Sequence, residues 1–208
     1  MNMTKIMAVG DFHGDQILAE QLAKKAKKEK IEIVILAGDI TLANLDIKNL
    51  IGPFAKEKKK ILLIPGNHET PETSEFLSRM YSPYTHHLHG THFQKGNVGF
   101  FGAGTANMGP GQIPDSMIFD LLKKSHEKIK DLDHKIMVTH IHPINSKSEF
   151  TGFKGSPAVR LAIEKFKPTI AICSHIHEAA GLEEKIGKTK VINVSKKEFK
   201  LSAETPRA

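Results

Sequence analysis

Short runs of apolar and β-branched residues recur along this chain, and polar residues that could bind metal ions follow directly after them. The runs occupy residues 5–9, 31–37, 61–64, 135–139 and 169–173. The first is followed by a lysine-rich segment in which Leu18, Leu22 and Ala26 recur at the helical interval. Strands that alternate with helices favour parallel pairing with right-handed crossovers. The sequence therefore predicts an α/β fold.

Periodicity also places the other elements. It predicts helices over residues 14–30, 47–59, 116–132 and 156–166. Shorter strands are expected over residues 85–93 and 96–102, and a hairpin from residues 179–184 and 188–194. These short strands make a mixed sheet more consistent with the pattern than a purely parallel one. The intervening loops at residues 101–111 and 146–155 are expected to carry substrate specificity.

Five polar blocks follow the strand-like runs. They are Asp11-Phe12-His13, Gly38-Asp39, Gly66-Asn67-His68-Glu69, His140 within Thr-His-Ile-His-Pro, and His175-Ile176-His177. Carboxylate, imidazole and amide oxygen suit Mn, Fe, Ni or Zn, and the blocks contain no thiolate ligand. Loops that follow the strands of α/β proteins are where such sites assemble. The blocks together predict a metal-dependent hydrolase site.

The residue types in these blocks suggest separate roles. Asp11 and His13 are two residues apart, so in extended backbone both side chains would point to one side. The Asp39 carboxylate has two oxygens and is the candidate bridge between two ions. Asn67 offers a neutral amide oxygen. Three imidazoles complete the set: His140, His175 and His177. This supply of ligands is sufficient for two ions.

Each residue also has a structural alternative. Asp11 and Asp39 could be helix N-caps, Asn67 a turn residue, and any single histidine a hydrogen-bonded core side chain. Independent explanations of this kind would have to coincide at five strand ends. The set as a whole therefore favours a metal site.

The order of the blocks resembles the calcineurin-like metallophosphoesterase superfamily, with its pattern D-x-H, G-D, G-N-H-[D/E], a lone H and G-H-x-H. The match runs from Asp11 to His177. The length of the chain predicts one domain over residues 1–208, and the resemblance implies that it folds as a four-layered α/β sandwich with mixed central sheets flanked by helices. It implies that metal one is held by Asp11, His13, Asp39 and His177, and metal two by Asp39, Asn67, His140 and His175. It also implies that His68 is catalytic and not a ligand.

The chemistry of such a site agrees with the resemblance. Two ions about 3.5 to 4 Å apart can share a water, lower its pKa and clamp the attacking and leaving oxygens of an in-line displacement. A bridging hydroxide would attack phosphorus directly, while His68 would stabilise the transition state or protonate the leaving oxygen. The expected activity is hydrolysis of a small phosphomonoester or phosphodiester. Manganese is the favoured metal, and Fe, Ni, Zn and Mg are alternatives.

Charge and composition bear on two other classes of function. The net charge of +7 and pI near 9.4 would attract anions, so a nuclease acting on DNA or RNA at the same site is an alternative. Nucleic acid is not the favoured partner, because most basic residues are lysines spread over helix faces. A non-catalytic interaction module is a further alternative. It is disfavoured because no ligand of the family pattern is missing.

Composition also suggests a compartment. Cys173 is the only cysteine and lies in an apolar run, so we expect a buried strand residue and no disulfide within the chain. No apolar run approaches the roughly 20 residues of a membrane helix. Residues 1–9 lack the features of a secretory signal. These observations predict a cytoplasmic protein without membrane attachment.

Two departures from the family pattern limit what the resemblance implies. Ser174 stands where the family usually has Gly before His-x-His, so backbone strain is expected there. After Gly38-Asp39 the chain continues Ile40-Thr41-Leu42-Ala43-Asn44, without the Asp and Arg that protein Ser/Thr phosphatases of the superfamily carry. This argues against a phosphoprotein phosphatase and leaves the partner of His68 open.

Several histidines lie outside the blocks. His87 and His89 would share one face of a strand, where an accessory metal or phosphate contact is the less favoured alternative to a structural role. His126 is expected to face solvent.

Overall fold

The computed structural model describes residues 2–45, 47–109 and 111–205, and within them the strands form two mixed sheets. The first sheet has the order β11-β1-β2-β3-β4, in which β1 is Asn2–Val9, β2 is Ile33–Ala37, β3 is Lys60–Ile64, β4 is Thr85–His87 and β11 is Phe199–Thr205. Strands β1 to β4 pair in parallel, and β11 pairs antiparallel to β1. Pro110 of the glycine-rich loop, which comprises residues 102–111, lies outside the described residues.

The second sheet has the order β5-β6-β7-β8-β10-β9. Its strands are β5 (His92–Lys95), β6 (Val98–Ala103), β7 (His134–Thr139), β8 (Ile170–Cys173), β9 (Glu183–Ile186) and β10 (Thr189–Asn193). The central four strands pair in parallel, whereas β5 and β9 at the edges pair antiparallel. The predicted mixed sheet is confirmed. The predicted C-terminal hairpin is present, but its first strand is Glu183–Ile186 and not residues 179–184.

Helices cover the outer faces of the two sheets. They are α1 (Gln16–Lys28), α2 (Gly52–Lys56), α3 (Pro71–Met80), α4 (Asp115–Glu127) and α5 (Pro157–Phe166). Two 3-10 segments, Lys147–Thr151 and His177–Ala179, lie in loops. Asp15 and Ser156 cap α1 and α5 by accepting hydrogen bonds from backbone N–H groups. Among the described residues, no helix combines the length and apolar character that crossing a membrane would require.

Alternating side chains build three apolar layers between these elements. Ile6 and Ile35 of the first sheet pack with Phe100 of the second, which forms the central layer between the sheets. The opposite faces of the same strands pack against the helices: Met7 lies with Leu22 of α1 on one side of the molecule. In the second sheet, Met137, Leu122 and Ala162 join β7 to α4 and α5. The order is helices, sheet, sheet, helices, which confirms the predicted four-layered α/β sandwich.

The structure corrects several predicted elements. The helix expected over residues 47–59 is reduced to α2, five residues long. The strand expected over residues 85–93 is two strands, β4 and β5, which belong to different sheets. Between them Gly90 has a φ of +67°, a left-handed conformation that interrupts an extended strand. Helix α3 and strand β11 were not predicted from the sequence.

The burial of Cys173 was predicted correctly, whereas that of His126 was not. Cys173 is buried and unpaired in β8, as expected, and burial raises the pKa of its thiol. The prediction that His126 faces solvent is wrong. Its ring stacks on Phe166, with ring centroids 4.4 Å apart and an interplanar angle of 14°.

His87 and His89 have structural contacts. Their rings stack with centroids 5.8 Å apart, and His87 Nε2 lies 2.7 Å from Ser74 Oγ. His89 Nδ1 accepts a hydrogen bond of 3.0 Å from the Gly104 N–H, so His89 must be neutral to hold the glycine-rich loop. Burial lowers the pKa of each histidine from 6.5 to about 4. These contacts favour the structural role over an accessory metal or phosphate contact.

This histidine pair should make the fold sensitive to acid. The folded chain binds fewer protons than the unfolded chain between pH 6.5 and about 4, so the stability contributed by the neutral rings is lost as pH falls through that window. At pH 5 the loss is roughly 1 to 2 kcal/mol for each histidine. Urea unfolding at pH 7 and pH 5 measures it. The double variant H87Q/H89Q should lose less stability between the two pH values than the unmodified chain. Equal losses of stability in both proteins would contradict the role of His87 and His89 in the acid sensitivity.

Candidate metal centre

The predicted ligands converge at the carboxyl ends of five parallel strands from both sheets. Asp11 follows β1, Asp39 follows β2 and Asn67 follows β3. From the second sheet, His140 follows β7 and His175 follows β8. Parallel strands of one sheet end at the same edge, and the packing of the two sheets brings their edges together, so residues that are far apart in the sequence meet there. Burial differs within the set: Asp11, Asp39, Asn67 and His140 are buried, whereas His13, His68, His175 and His177 are partly exposed.

The backbone at these strand ends is not extended. Asp11 and His13 have φ angles of 59° and 47°, which overturns the expectation that an extended segment aligns their side chains. A turn, and not an extended segment, brings the two side chains together. Hydrogen bonds of 2.9 Å run from the Asp11 N–H to the Gly38 carbonyl and from the His13 N–H to the Asp39 carbonyl. Left-handed conformations of non-glycine residues persist where surrounding contacts hold them, and they concentrate at functional sites.

Asp11, His13 and His177 form the first cluster of possible metal ligands, with ligand atoms within 4.8 Å of one another. His13 Nε2 lies 3.1 Å from His177 Nε2. Asp11 Oδ1 lies 3.4 Å from His177 Nε2 and has no hydrogen-bond partner among the described residues, although it is buried. A buried carboxylate oxygen without a donor is costly unless a cation compensates for it. The cluster therefore fits a divalent ion.

Asp39, His140 and His175 form the second cluster. His140 Nε2 lies 3.3 Å from Asp39 Oδ2 and 3.1 Å from the Asn67 side-chain oxygen. On the other side of the ring, His140 Nδ1 lies 2.9 Å from the Ala37 carbonyl. A proton on Nδ1 would satisfy that carbonyl and leave the Nε2 lone pair directed into the site, the usual arrangement of a metal-binding histidine.

Asp39 lies between the two clusters. Its Oδ2 is 3.8 Å from His13 Nε2 and 3.3 Å from His140 Nε2, so one oxygen faces ligands of both groups. Its Oδ1 accepts a hydrogen bond of 2.8 Å from the His68 N–H. Glycines permit this approach: Gly38 has a φ of +88°, and a Cβ there would lie 2.6 Å from His140 Nδ1. This position supports the prediction that Asp39 is the bridging ligand.

Electrostatics keep both carboxylates ionised. Burial alone would raise the pKa of Asp11, but the contact with His177, the charge of His140 and hydroxyl donors bring it below its usual range. Burial also opposes ionisation of Asp39, and His140 and the His68 N–H outweigh it to lower the pKa. Burial opposes the charge of His140 as well, yet Asp39 raises its pKa to about 9. Two ionised carboxylates in a buried site favour cations.

His68 stands beside this arrangement. It forms a third cluster with His13 and Asp39, and its ring meets the His13 ring edge to face with centroids 4.8 Å apart. His68 Nδ1 is buried and has no hydrogen-bond partner among the described residues. Leu42, which departs from the Ser/Thr phosphatase pattern, is 47% exposed. Because Nδ1 has no partner, no described carboxylate orients the His68 ring through this atom.

Glu69 and Gly111 support the site through contacts that were not predicted from the sequence. Glu69 is 1% exposed and its Oε1 accepts a hydrogen bond of 2.9 Å from the Ile40 N–H. Burial, reinforced by the charge of Asp39, raises its pKa to about 8. Gly111 donates its N–H to the Asn67 carbonyl at 3.0 Å. The position of Glu69 directly after Asn67-His68 was the available signal for its role.

The expected strain at Ser174 is not observed. Ser174 does not adopt a left-handed φ, whereas the next residue, His175, has a φ of 73°. The side chain of Ser174 instead contacts Asp11.

Comparison with known proteins identifies the family. The sequence model of the calcineurin-like phosphoesterases matches residues 4–179. The chain belongs to this family. It is accordingly a hydrolase acting on phosphate ester bonds. No curated protein matches the chain.

Solved structures share the fold of this calcineurin-like phosphoesterase. The protein TT1561 of Thermus thermophilus is 17% identical, with a TM-score of 0.74 over 92% of this chain and 89% of that one. A dimetal phosphatase from Danio rerio is 11% identical, with a TM-score of 0.59 over 91% and 86% of the two chains. An archaeal phosphodiesterase is 14% identical, with a TM-score of 0.57 over 96% and 100%. At these identities the likeness shows the fold.

Proposed function

We propose that this protein is a dinuclear metal-dependent phosphoesterase that hydrolyses a small phosphomonoester or phosphodiester. The observation that carries the proposal is the position of Asp39 Oδ2 between two groups of ligands. Metal one would be held by Asp11, His13, Asp39 and His177, and metal two by Asp39, Asn67, His140 and His175. Manganese is the metal we favour, with Fe, Ni, Zn or Mg as alternatives.

The donor set fits two such ions. It combines carboxylate, imidazole and amide oxygen without thiolate, which suits divalent ions of intermediate hardness. Asp11 Oδ1 is buried and lacks a donor, and imidazole nitrogens of His13 and His177 face each other across 3.1 Å. When bound, the ions would supply a water of lowered pKa and neutralise the charge on the phosphoryl oxygens.

His68 is the residue that we assign to the leaving group. Its backbone is held on both sides: the N–H donates to Asp39 Oδ1, and the carbonyl accepts from the Asn44 N–H at 3.0 Å. Nδ1 is buried in protein, so Nε2 is the ring atom that would hold a proton for the departing oxygen. A positioned histidine in this role accelerates proton transfer by roughly a hundredfold to ten-thousandfold.

The surface charge supports a small substrate over nucleic acid. Some lysines pair with nearby acids, for example Lys27 with Glu57 at 3.0 Å and Lys200 with Glu29 at 3.0 Å. Such pairs neutralise positive charge locally, and the sequence has only three arginines that could bind phosphate through two hydrogen bonds. A cytoplasmic location also belongs to this proposal, because the free and buried Cys173 suits a reducing compartment.

Metal-dependent hydrolysis of synthetic esters tests the proposal. Protein stripped of metal is titrated with Mn²⁺, and in parallel with Fe²⁺, Ni²⁺, Zn²⁺ or Mg²⁺, while hydrolysis of p-nitrophenyl phosphate and bis-p-nitrophenyl phosphate is followed. We expect activity to saturate at two ions per chain and to be highest with Mn²⁺. Protein that binds two ions but hydrolyses neither ester would overturn the proposed activity. Cleavage of single-stranded DNA that falls steeply with salt would instead favour the nuclease.

A further inference from the structure

The two oxygens of the Asp11 carboxylate have different surroundings. Oδ2 accepts hydrogen bonds from the Ser174 hydroxyl and from the His175 N–H, the latter at 3.2 Å. Oδ1 has no donor among the described residues and faces His177 Nε2 at 3.4 Å and His13 Nε2 at 3.8 Å. All of Asp11 is buried. One oxygen is thus bound by the protein and the other is directed toward the first cluster of ligands.

Ser174 is itself fixed in place. Its N–H donates to the His140 carbonyl at 2.8 Å, and its carbonyl accepts a hydrogen bond of 3.2 Å from the Asn193 side chain. Ser195 Oγ lies 3.5 Å from Ser174 Oγ, and the Ser195 N–H donates to the side-chain oxygen of Asn193. Gly10 faces the hydroxyl, and a Cβ at residue 10 would collide with it. The hydroxyl therefore occupies a space that the glycine following β1 leaves open.

We infer that Ser174 is a positioning residue for Asp11, which fixes Oδ2 so that Oδ1 alone is presented to metal one. This inference rests on the proposed dinuclear centre. The family usually has glycine at the position of Ser174. The Ser174 hydroxyl therefore gives Asp11 Oδ2 a second donor beside the His175 N–H, and glycine could not supply it.

The physical reason is preorganisation. A carboxylate can rotate about its Cβ–Cγ bond and can bind an ion through one or both oxygens. Two donors on Oδ2 restrict that rotation before the ion arrives, and they stabilise the ionised form in a buried site. Groups that orient metal ligands in this way typically change metal affinity by about 10- to 100-fold.

Calorimetric titration of metal-free protein with Mn²⁺ tests the inference without any substrate. In S174A we expect the affinity for one of two ions to fall at least about tenfold, while the affinity for the other stays within about twofold. S174G, which introduces the residue usual in the family, should show the same selective loss. It also serves as the second variant if S174A does not fold. S125A is the matched control, because Ser125 is also buried and, among the described residues, its hydroxyl bonds to carbonyls of α4 alone.

A spectroscopic measurement separates positioning from general loosening of the site. With Co²⁺ as the probe, the visible absorption bands of the weakened ion should shift in S174A, because Asp11 is then free to rotate. The bands of the other ion should be retained. Equal weakening of both ions, or unchanged affinity for both while the unmodified chain binds two, would overturn the inference alone. An unmodified chain that binds fewer than two ions would overturn the dinuclear centre together with it.

Discussion

Replacing Asp39 by asparagine is expected to abolish hydrolysis of phosphate esters, with a fall in kcat of at least roughly a thousandfold. The amide keeps the shape of the side chain but loses the charge and one of the two oxygen acceptors. Asp39 Oδ2 lies within 3.8 Å of ligands from both clusters, so a single substitution should disturb both ions. Steady-state hydrolysis and metal analysis of the dialysed variant measure the two effects.

The metal content of D39N should fall below two ions per chain. Asp15→Asn is the matched control, because it makes the same chemical change at the N-cap of α1, where asparagine is accepted nearly as well. This control should retain both metal and activity. Full hydrolysis by D39N with two bound ions would refute the bridging role of Asp39.

Replacing His68 by alanine should separate rate from metal binding. We expect kcat to fall by roughly a hundredfold to ten-thousandfold while two ions remain bound, because the variant loses the proton donor and no ligand. Esters whose leaving alcohols are strongly acidic should lose less activity, since their oxygens need little protonation. The measurements are kcat for a series of aryl phosphates and metal content after dialysis.

The control for H68A is H134A, which removes a histidine at the opposite end of a strand that leads to the site. His134 begins β7, whereas His140 follows its last residue. H134A should retain both turnover and metal. Loss of metal in H68A would assign His68 to the ligands, a role that its cluster with His13 and Asp39 would permit.

The sequence predicted part of the ligand geometry. Each block follows an apolar run, and the ends of parallel strands in one sheet meet at one edge, so the convergence of Asp11, Asp39 and Asn67, whose strands lie in the first sheet, was predictable from residues alone. The local backbone was not. Asp11 and His13 lie in a turn with positive φ because hydrogen bonds to residues 38 and 39 hold it there. The spacing of the two residues in the sequence does not predict these hydrogen bonds.

Missed elements have the same explanation. Strand β11 pairs with β1 across most of the length of the chain, and α3 fills the space beside β3 and β4. Residues 85–93 have the composition of one strand but are divided between two sheets, because Gly90 interrupts them. Each outcome depends on what packs against the segment, which single-sequence periodicity does not contain.

The sequence by itself determined the α/β class, the family pattern and the chemical identity of the candidate ligands, because strand periodicity and side-chain chemistry are local properties. Only the tertiary structure decided that Asp39 Oδ2 faces both clusters, that Ser174 contacts Asp11 without backbone strain, and that no described carboxylate binds His68 Nδ1. These are relations between residues up to 163 positions apart in the chain. They arise when two sheets pack face to face, and distance in space, unlike residue type, is set by that packing.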